Sequence, residues 1–308
     1  MLCLGLAAGL VLQRTQFCTM GCISDAVLFG SLRRLRIWAL ALAVALGGSQ
    51  LLDSLGWVQL SASVYRAEGW IFAGALPGGV LFGFGMVLAG GCVSRNLVRL
   101  GSGSGKAAAT LLVAAVAALA TVTMLPSPSA ASTHDHPAVL HIIAAVIVVG
   151  LLVFSLRARM LRVSRQDLIT GLTVGSLVPL GWIATSLAGV RPDSLNLMAL
   201  HRLELVVPLA VGTVLGAFLM AWRRGELRIE RFTARDDLVR NLLGGVLMGV
   251  GGTLALGCTI GQGLTGASTL SPGSLLVLAA MFLGAWWAVK YLETGRLLAL
   301  PIRATELR

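Results

Sequence analysis

Charged residues make up only 12% of this 308-residue chain, and aromatic residues only 6%. So little charge excludes a soluble globular protein, in which about a quarter of residues are charged. No polar block is long enough to form a separate soluble domain. Five cysteines in the whole chain exclude a disulfide scaffold. The opening residues MLCLGLAAGLVL show neither a basic start nor a small-residue cleavage site, so they are expected to belong to the first crossing rather than to a cleavable leader. Metal-ligand clusters are missing as well. His134, His136 and His141 lie in or beside the loop 126–137 (PSPSAASTHDHP), but no cysteine or carboxylate cluster joins them. They read as a solvated loop and the start of the next helix, with no metal and no cofactor.

What the chain has in abundance is apolar sequence. It is 56% hydrophobic, with a mean hydropathy of +0.87. Apolar runs of about 20 residues, the length of a bilayer crossing, recur throughout. The pattern predicts an all-α membrane protein with about nine crossings, near 2–30, 37–52, 70–91, 107–125, 138–156, 167–187, 203–222, 238–257 and 275–292. The net charge of +11 does not indicate nucleic acid, because the basic residues cluster in short loops between apolar runs. With alternating sides, twenty of the 24 Lys and Arg fall on one side and only Arg66, Arg191 and Arg202 on the other. The excess predicts an N-terminus outside and a C-terminus in the cytoplasm.

The sequence also repeats itself. Residues 78–92 read GGVLFGFGMVLAGGC and residues 244–258 read GGVLMGVGGTLALGC; ten of fifteen positions agree at an offset of 166. GLAAG at 5–9 matches GLTVG at 171–175 at the same offset. By the charge count, equivalent loops fall on opposite sides: the outside loop 53–68 maps onto the basic segment 219–234. The expectation is therefore a single membrane domain, 1–308. It holds two inverted-topology halves, roughly 1–125 and 167–292, with a linking helix at 138–156.

Three stretches combine membrane depth with residues unsuited to lipid: QRTQFCTMGCISD (13–25), AGGCVSRNLVRLGSGSGK (89–106) and LGCTIGQGLTGASTLSPGS (256–274). The second and third read as broken or re-entrant helices, since non-helical backbone at that depth must line protein or a water-filled cavity. In the first, Arg14, Cys18, Cys22 and Asp25 are spaced to share one helix face, where Arg14 and Asp25 would compensate each other's charge. Cys92 and Cys258 are placed by the repeat, Cys92 on the cytoplasmic approach and Cys258 on the outside approach. Cys18 and Cys22 have lost their counterparts, which are Ala184 and Ala188. Cys3 reads as a small buried apolar side chain. The GxxxG spacings at 5–9, 79–83, 171–175 and 245–249 read as helix packing. Gly91 and Gly257, beside the cysteines, read as points of close backbone approach to a ligand.

Together the three stretches resemble the YeeE/YedE family of bacterial inner-membrane transporters for thiosulfate and related sulfur compounds. The carrying residues are FCTMG with Asp25, GGC with the RLGSGSGK tail, and GCTIGQGLTGASTLSPGS. The resemblance implies nine crossings with short re-entrant elements, an hourglass dented on both faces, and three thiols passing thiosulfate along the axis. Carried over by motif, these are Cys18, Cys92 and Cys258. Cys22 departs from the pattern and adds a fourth thiol, and the first helix is short. The substrate-binding set is then Cys18, Cys22, Cys92, Cys258, Gly91, Gly257, Thr259 and Gln262, with Arg14, Asp25, Ser94, Arg95 and Asn96 lining the path. Family analogy adds a small cytoplasmic TusA-type sulfur carrier to the partners, beside the lipid bilayer and a small sulfur oxyanion.

Thiosulfate pairs two negative charges with a soft sulfur, which suits a neutral S–H donor. Helix N-termini and glycine N–H groups would hold its oxygens. Uptake should then fall as pH rises toward thiol ionisation. The rival readings are a membrane thiol-disulfide redox protein, a soft-metal transporter using Met86 or Met248, and a purely structural membrane subunit.

Overall fold

A computed structural model describes residues 1–66, 74–124, 137–156, 164–189, 194–197, 203–232 and 234–294. They are almost wholly helical: α1 (Leu2–Thr15), α2 (Thr19–Leu28), α3 (Arg33–Ser54), α4 (Leu76–Leu88), α5 (Val93–Gly101), α6 (Gly105–Met124), α7 (Pro137–Leu156), α8 (Arg165–Leu187), α9 (Leu203–Arg224), α10 (Arg235–Leu254) and α11 (Pro272–Thr294). A π-helical segment, Gly261–Gly266, lies between α10 and α11. Two short 3-10 turns, Leu60–Ala62 and Val64–Arg66, follow α3. Ser104 and Glu230 form an isolated bridge rather than a sheet.

Among the described residues, six helical spans are long and apolar enough to cross a membrane: Arg33–Ser54, Leu76–Gly101, Gly105–Met124, Arg165–Leu187, Leu203–Arg224 and Pro272–Thr294. The second of these is interrupted, because α4 ends at Leu88 and α5 starts only after Cys92. The crossing expected at 2–30 is also broken. Gln16 takes a left-handed conformation (φ 52) and Cys18 is extended, so α1 and α2 are separate helices. No glycine or proline marks this break. The Gln16 side chain meets Arg95 Nη2 instead, a contact from a distant part of the chain.

Small residues decide the packing. A Cβ on Gly9 would stand 2.1 Å from the Thr213 carbonyl oxygen, and one on Gly216 2.2 Å from that of Leu6. Backbones this close are how helices associate where lipid is as apolar as the side chains. Gly83 and Gly284 set α4 against α11 in the same way, Gly249 sets α10 against α6, and Gly175 sets α8 against α3. All four expected GxxxG pairs are thus packing seams. In α1 and α9, Gly5 meets Leu209 and Gly9 meets Thr213, so these two helices run parallel.

The helix pairs follow the repeat. Shifting numbers by 166 turns α1 into α8, α3 into α9, α4 into α10, α5 into the π segment and α6 into α11. Under that exchange the α1–α9 pair becomes α8–α3, and α4–α11 becomes α10–α6. The α5–α9 and α5–α6 contacts likewise become those of the π segment with α3 and α11. The central pair, α4 with α10, maps onto itself. There Gly78 meets Gly251 and Leu254, while Gly85 meets Gly244 and Leu247, so these two equivalent helices run antiparallel. Helix α7 packs mainly on α3 and lies outside the exchange.

Candidate functional site

Each conserved-offset cysteine sits where a helix stops. After α4, Gly90 (φ +69) and Gly91 (φ +157) turn the chain through backbone angles that favour glycine. This delivers Cys92 to the N-cap of α5. The Cys92 Sγ lies 3.2 Å from Ser94 Oγ and is buried. After α10, Gly257 N donates to the Gly252 carbonyl, and Cys258 follows in full burial. Its Sγ accepts from Gly261 N at 3.4 Å, where the π segment begins.

Amide side chains brace both turns. Asn96, four residues after Cys92, donates from Nδ2 to the carbonyls of Gly91 (2.8 Å) and Cys92 (3.3 Å). Gln262, four residues after Cys258, donates from Nε2 to the Ala255 carbonyl at 2.6 Å. Asn196 donates to the Leu256 carbonyl beside Gly257. Asn96 and Gln262 thus hold backbone with their amide nitrogens. Thr259 is fully buried, and its hydroxyl has no hydrogen-bond partner.

Cys18 and Cys22 belong to α2. Cys18 is its extended N-cap, and Cys22 Sγ donates to the carbonyls of Cys18 (3.3 Å) and Arg34 (3.4 Å). Both line a cavity of about 660 Å³ whose wall also includes Arg14, Gln16, Asp25, Arg33, Arg34, Asp167, Thr170, Thr173 and Arg224. Four arginines against two aspartates make this wall basic. Arg33 forks onto Asp167 with two bonds of 2.9 Å, and Arg34 pairs with Asp25 at 3.1 Å. Asp25 is therefore compensated by Arg34, not by Arg14 as its spacing suggested. The chain break at Gln16 takes Arg14 off the α2 face, yet the cavity still gathers Arg14, Cys18, Cys22 and Asp25.

Four thiols thus make a series in chain order: Cys18 and Cys22 at the cavity wall, and Cys92 and Cys258 buried at the two matched turns. A second void of about 20 Å³, roughly one water, is lined by Ser94 next to Cys92 and by Ile260 and Leu264 beyond Cys258. Cys3 is outside this series and is exposed, not buried. The face that α1 buries carries Leu4, Gly5, Ala8, Gly9 and Leu12, which turns Cys3 away. Met86 and Met248 are fully buried in the core. His141 meets Gln50 Oε1 at 3.1 Å. No group of three metal-ligating residues occurs among the described residues; His134 and His136 lie outside them.

Of the cavity arginines, Arg14 was named from sequence, whereas Arg33, Arg34 and Arg224 and the α8 threonines were not. Arg33 and Arg34 carried a signal, but it reads equally as a topology marker. Thr170 and Thr173 carried none, since each also bonds its own helix backbone.

The profile of the sulphur transport family matches residues 14–168 and again 135–287. The thiosulfate transporter TsuA of Escherichia coli K12 is 25% identical over 327 aligned positions, covering 92% of this chain and 91% of the relative. TsuA of Spirochaeta thermophila is 27% identical over 328 positions, covering 92% and 96%. This is a transporter and not an enzyme, a multi-pass membrane protein built on apolar helices. The chain belongs to the sulphur transport family, as its resemblance to YeeE/YedE proteins implied.

Proposed function

We propose that the chain takes thiosulfate, or a closely related small sulfur anion, across the bacterial inner membrane along a path lined by neutral cysteine thiols. The observation that carries this reading is the setting of the thiols: Cys18 and Cys22 line the basic cavity, while Cys92, through Ser94, and Cys258, through Ile260, border one small buried void. The anion approaches from outside at Cys258, passes Cys92, and leaves past Cys18 and Cys22 into the basic cavity. Thiols donate weakly and suit the soft terminal sulfur, while Gly91, Gly257 and the hydroxyls of Ser94 and Thr259 suit the oxygens. Arg14 and Asp25 border the exit. Arg95 and Asn96 keep the α1–α2 break and the Cys92 turn in place. Cys22 donates its proton to backbone, so it shapes the exit more than it binds.

The antiparallel α4–α10 pair supports two inverted halves, 1–125 and 167–292, joined by the linker 138–156 in one domain. Nine crossings result if α1 with α2, α7 and α10 span beside the six apolar spans, with α5 and the π segment as re-entrant elements. The basic excess supports an N-terminus outside and a cytoplasmic C-terminus. A TusA-type carrier would then meet the basic cavity. The thiol-disulfide rival gains nothing from Cys22, whose Sγ is engaged with the carbonyls of Cys18 and Arg34.

The test is uptake of labelled thiosulfate into vesicles by Cys18→Ala, Cys92→Ala and Cys258→Ala. Cys92→Ala is expected to lose at least about tenfold, with smaller losses in the other two. Wild-type rates in all three would sink the thiol path.

A further inference from the structure

We propose that Gln262 Oε1, Thr265 Oγ1 and Ser274 Oγ bind a monovalent cation, Na⁺, at the place that Arg99 fills in the other half of the molecule. The inference rests on the transport reading above and adds a second transported or bound species to it.

The two halves differ here in one telling respect. In the first half, Asn96 stands four residues after Cys92, its Nδ2 bonded to backbone and its Oδ1 facing the Arg99 guanidinium at 3.5 Å. Arg99 is in turn held by Glu230 at 2.9 Å. In the second half, Gln262 stands four residues after Cys258, its Nε2 likewise bonded to backbone. The residue equivalent to Arg99 at the offset of 166 is Thr265. Among the described residues no fixed cation replaces the guanidinium, and Gln262 Oε1 is buried without a partner.

Two more oxygens of this segment and of the start of α11 are orphaned. Thr265 Oγ1 and Ser274 Oγ are buried and have no hydrogen-bond partner. Gln262 Oε1 and Ser274 Oγ each lie 2.6 Å from the point a Cβ on Gly266 would occupy. They are therefore no more than twice that distance apart, with the missing side chain of Gly266 leaving room between them. The bond from Nε2 to Ala255 fixes which end of the amide faces this space. An amide oxygen only accepts, so at Gln262 Oε1 the space favours a donor or a cation over a sulfonate oxygen, while the two hydroxyls can turn their lone pairs to a cation. Neutral oxygens beside an irregular helical segment are the setting in which transporters hold Na⁺.

The energetics favour a cation. A dianion moving into a negative interior opposes the membrane potential by about 2.3 kcal/mol per charge per 100 mV. A cation bound next to the Cys258 turn offsets part of that charge. It also attracts the anion, and by reciprocity each then raises the other's affinity.

The experiment uses the full chain, purified in detergent and reconstituted in liposomes. Melting temperature is measured in NaCl, KCl and choline chloride at constant ionic strength, with and without thiosulfate. Saturable stabilisation by Na⁺ alone is expected in the wild type, stronger with thiosulfate present. Thr265→Val keeps the shape and Ser274→Ala removes one oxygen; each is expected to lower the apparent Na⁺ affinity at least about tenfold while melting normally in choline. If Thr265→Val fails to fold, Ser274→Ala and the wild-type ion series decide. Identical wild-type melting in all three salts, or stabilisation that follows acidification in choline instead, would overturn the proposal; the oxygens then hold water or serve a proton. The two readings fail separately. Thiosulfate uptake without any Na⁺ response overturns the cation site and leaves transport intact. Na⁺ binding lost in both variants, with no sulfur anion taken up, overturns transport and leaves the site.

Discussion

Gly9 and Gly150 show how differently one residue type is used along this chain. A Cβ on Gly9 would run into the Thr213 carbonyl at 2.1 Å, whereas one on Gly150 would meet nothing within 4 Å. Alanine in a helix is favoured over glycine by up to about 1 kcal/mol. Gly150→Ala in α7 should therefore raise thermal stability slightly. Gly9→Ala must push α1 off α9, and a net loss of about 1–3 kcal/mol is expected, as for other overpacked interiors. Thermal unfolding of the two variants in one detergent checks the sign of each. Sequence alone shows glycine in both places. Only Gly9 has a second glycine four residues before it, and that spacing is the legible part of the difference.

At the scale of elements, the segment after α9 acts as a strap over the α5–α6 turn. Gly105 N donates to the Glu230 carbonyl and Arg228 N to that of Ser102, both at 3.0 Å. Glu230 Oε2 accepts from Ser104 Oγ at 2.6 Å and from Arg99 at 2.9 Å. The Ser104 hydroxyl first, and then the Arg99 guanidinium, hold the Glu230 carboxyl below its usual range. A carboxyl with a depressed folded pKa adds stability above its unfolded value of about 4.3. That stability is lost as pH falls through the lower folded value. Glu230→Gln should thus cost at most about 1 kcal/mol at neutral pH, the figure kept small because the side chain is half exposed. Its unfolding curve should converge on that of the wild type in acid; a constant gap down to about pH 3 would exclude a role for the charge.

Elements were legible in unequal measure. The long apolar runs gave α3, α6, α8, α9 and α11, because membrane length and hydropathy are local properties. The turns at Cys92 and Cys258 were legible too, since glycine, cysteine and hydroxyl residues interrupt an apolar run there. The break between α1 and α2 was hidden, because Gln16 takes a left-handed turn that no local residue demands. The cavity was hidden for a related reason: its wall draws on α1, α2, α3, α8 and α9 at once, and no single stretch announces it.

For the whole molecule, the charge count makes a claim about sides that two exposed positions can test. Trp57 follows α3 and Ile229 follows α9, which are equivalent helices; both side chains are exposed. Trp57→Cys and Ile229→Cys, made in a Cys3→Ser background, should react with a membrane-impermeant maleimide from opposite faces. Trp57→Cys should label in intact cells and Ile229→Cys only in inverted vesicles. Labelling of both from one face would contradict two inverted halves.

The glycine seams carry one more consequence. Every one of them joins a helix of the first half to a helix of the second: α1 to α9, α3 to α8, α4 to α11, α6 to α10, and α4 to α10. The halves are clasped like the fingers of two hands, so neither can swing as a solid block without prising backbone from backbone in several places. Any rearrangement of the molecule is then easiest at α2, α5 and the π segment, which these seams do not hold. A half-chain made alone would leave these glycine grooves bare, so each half serves as the other's packing surface.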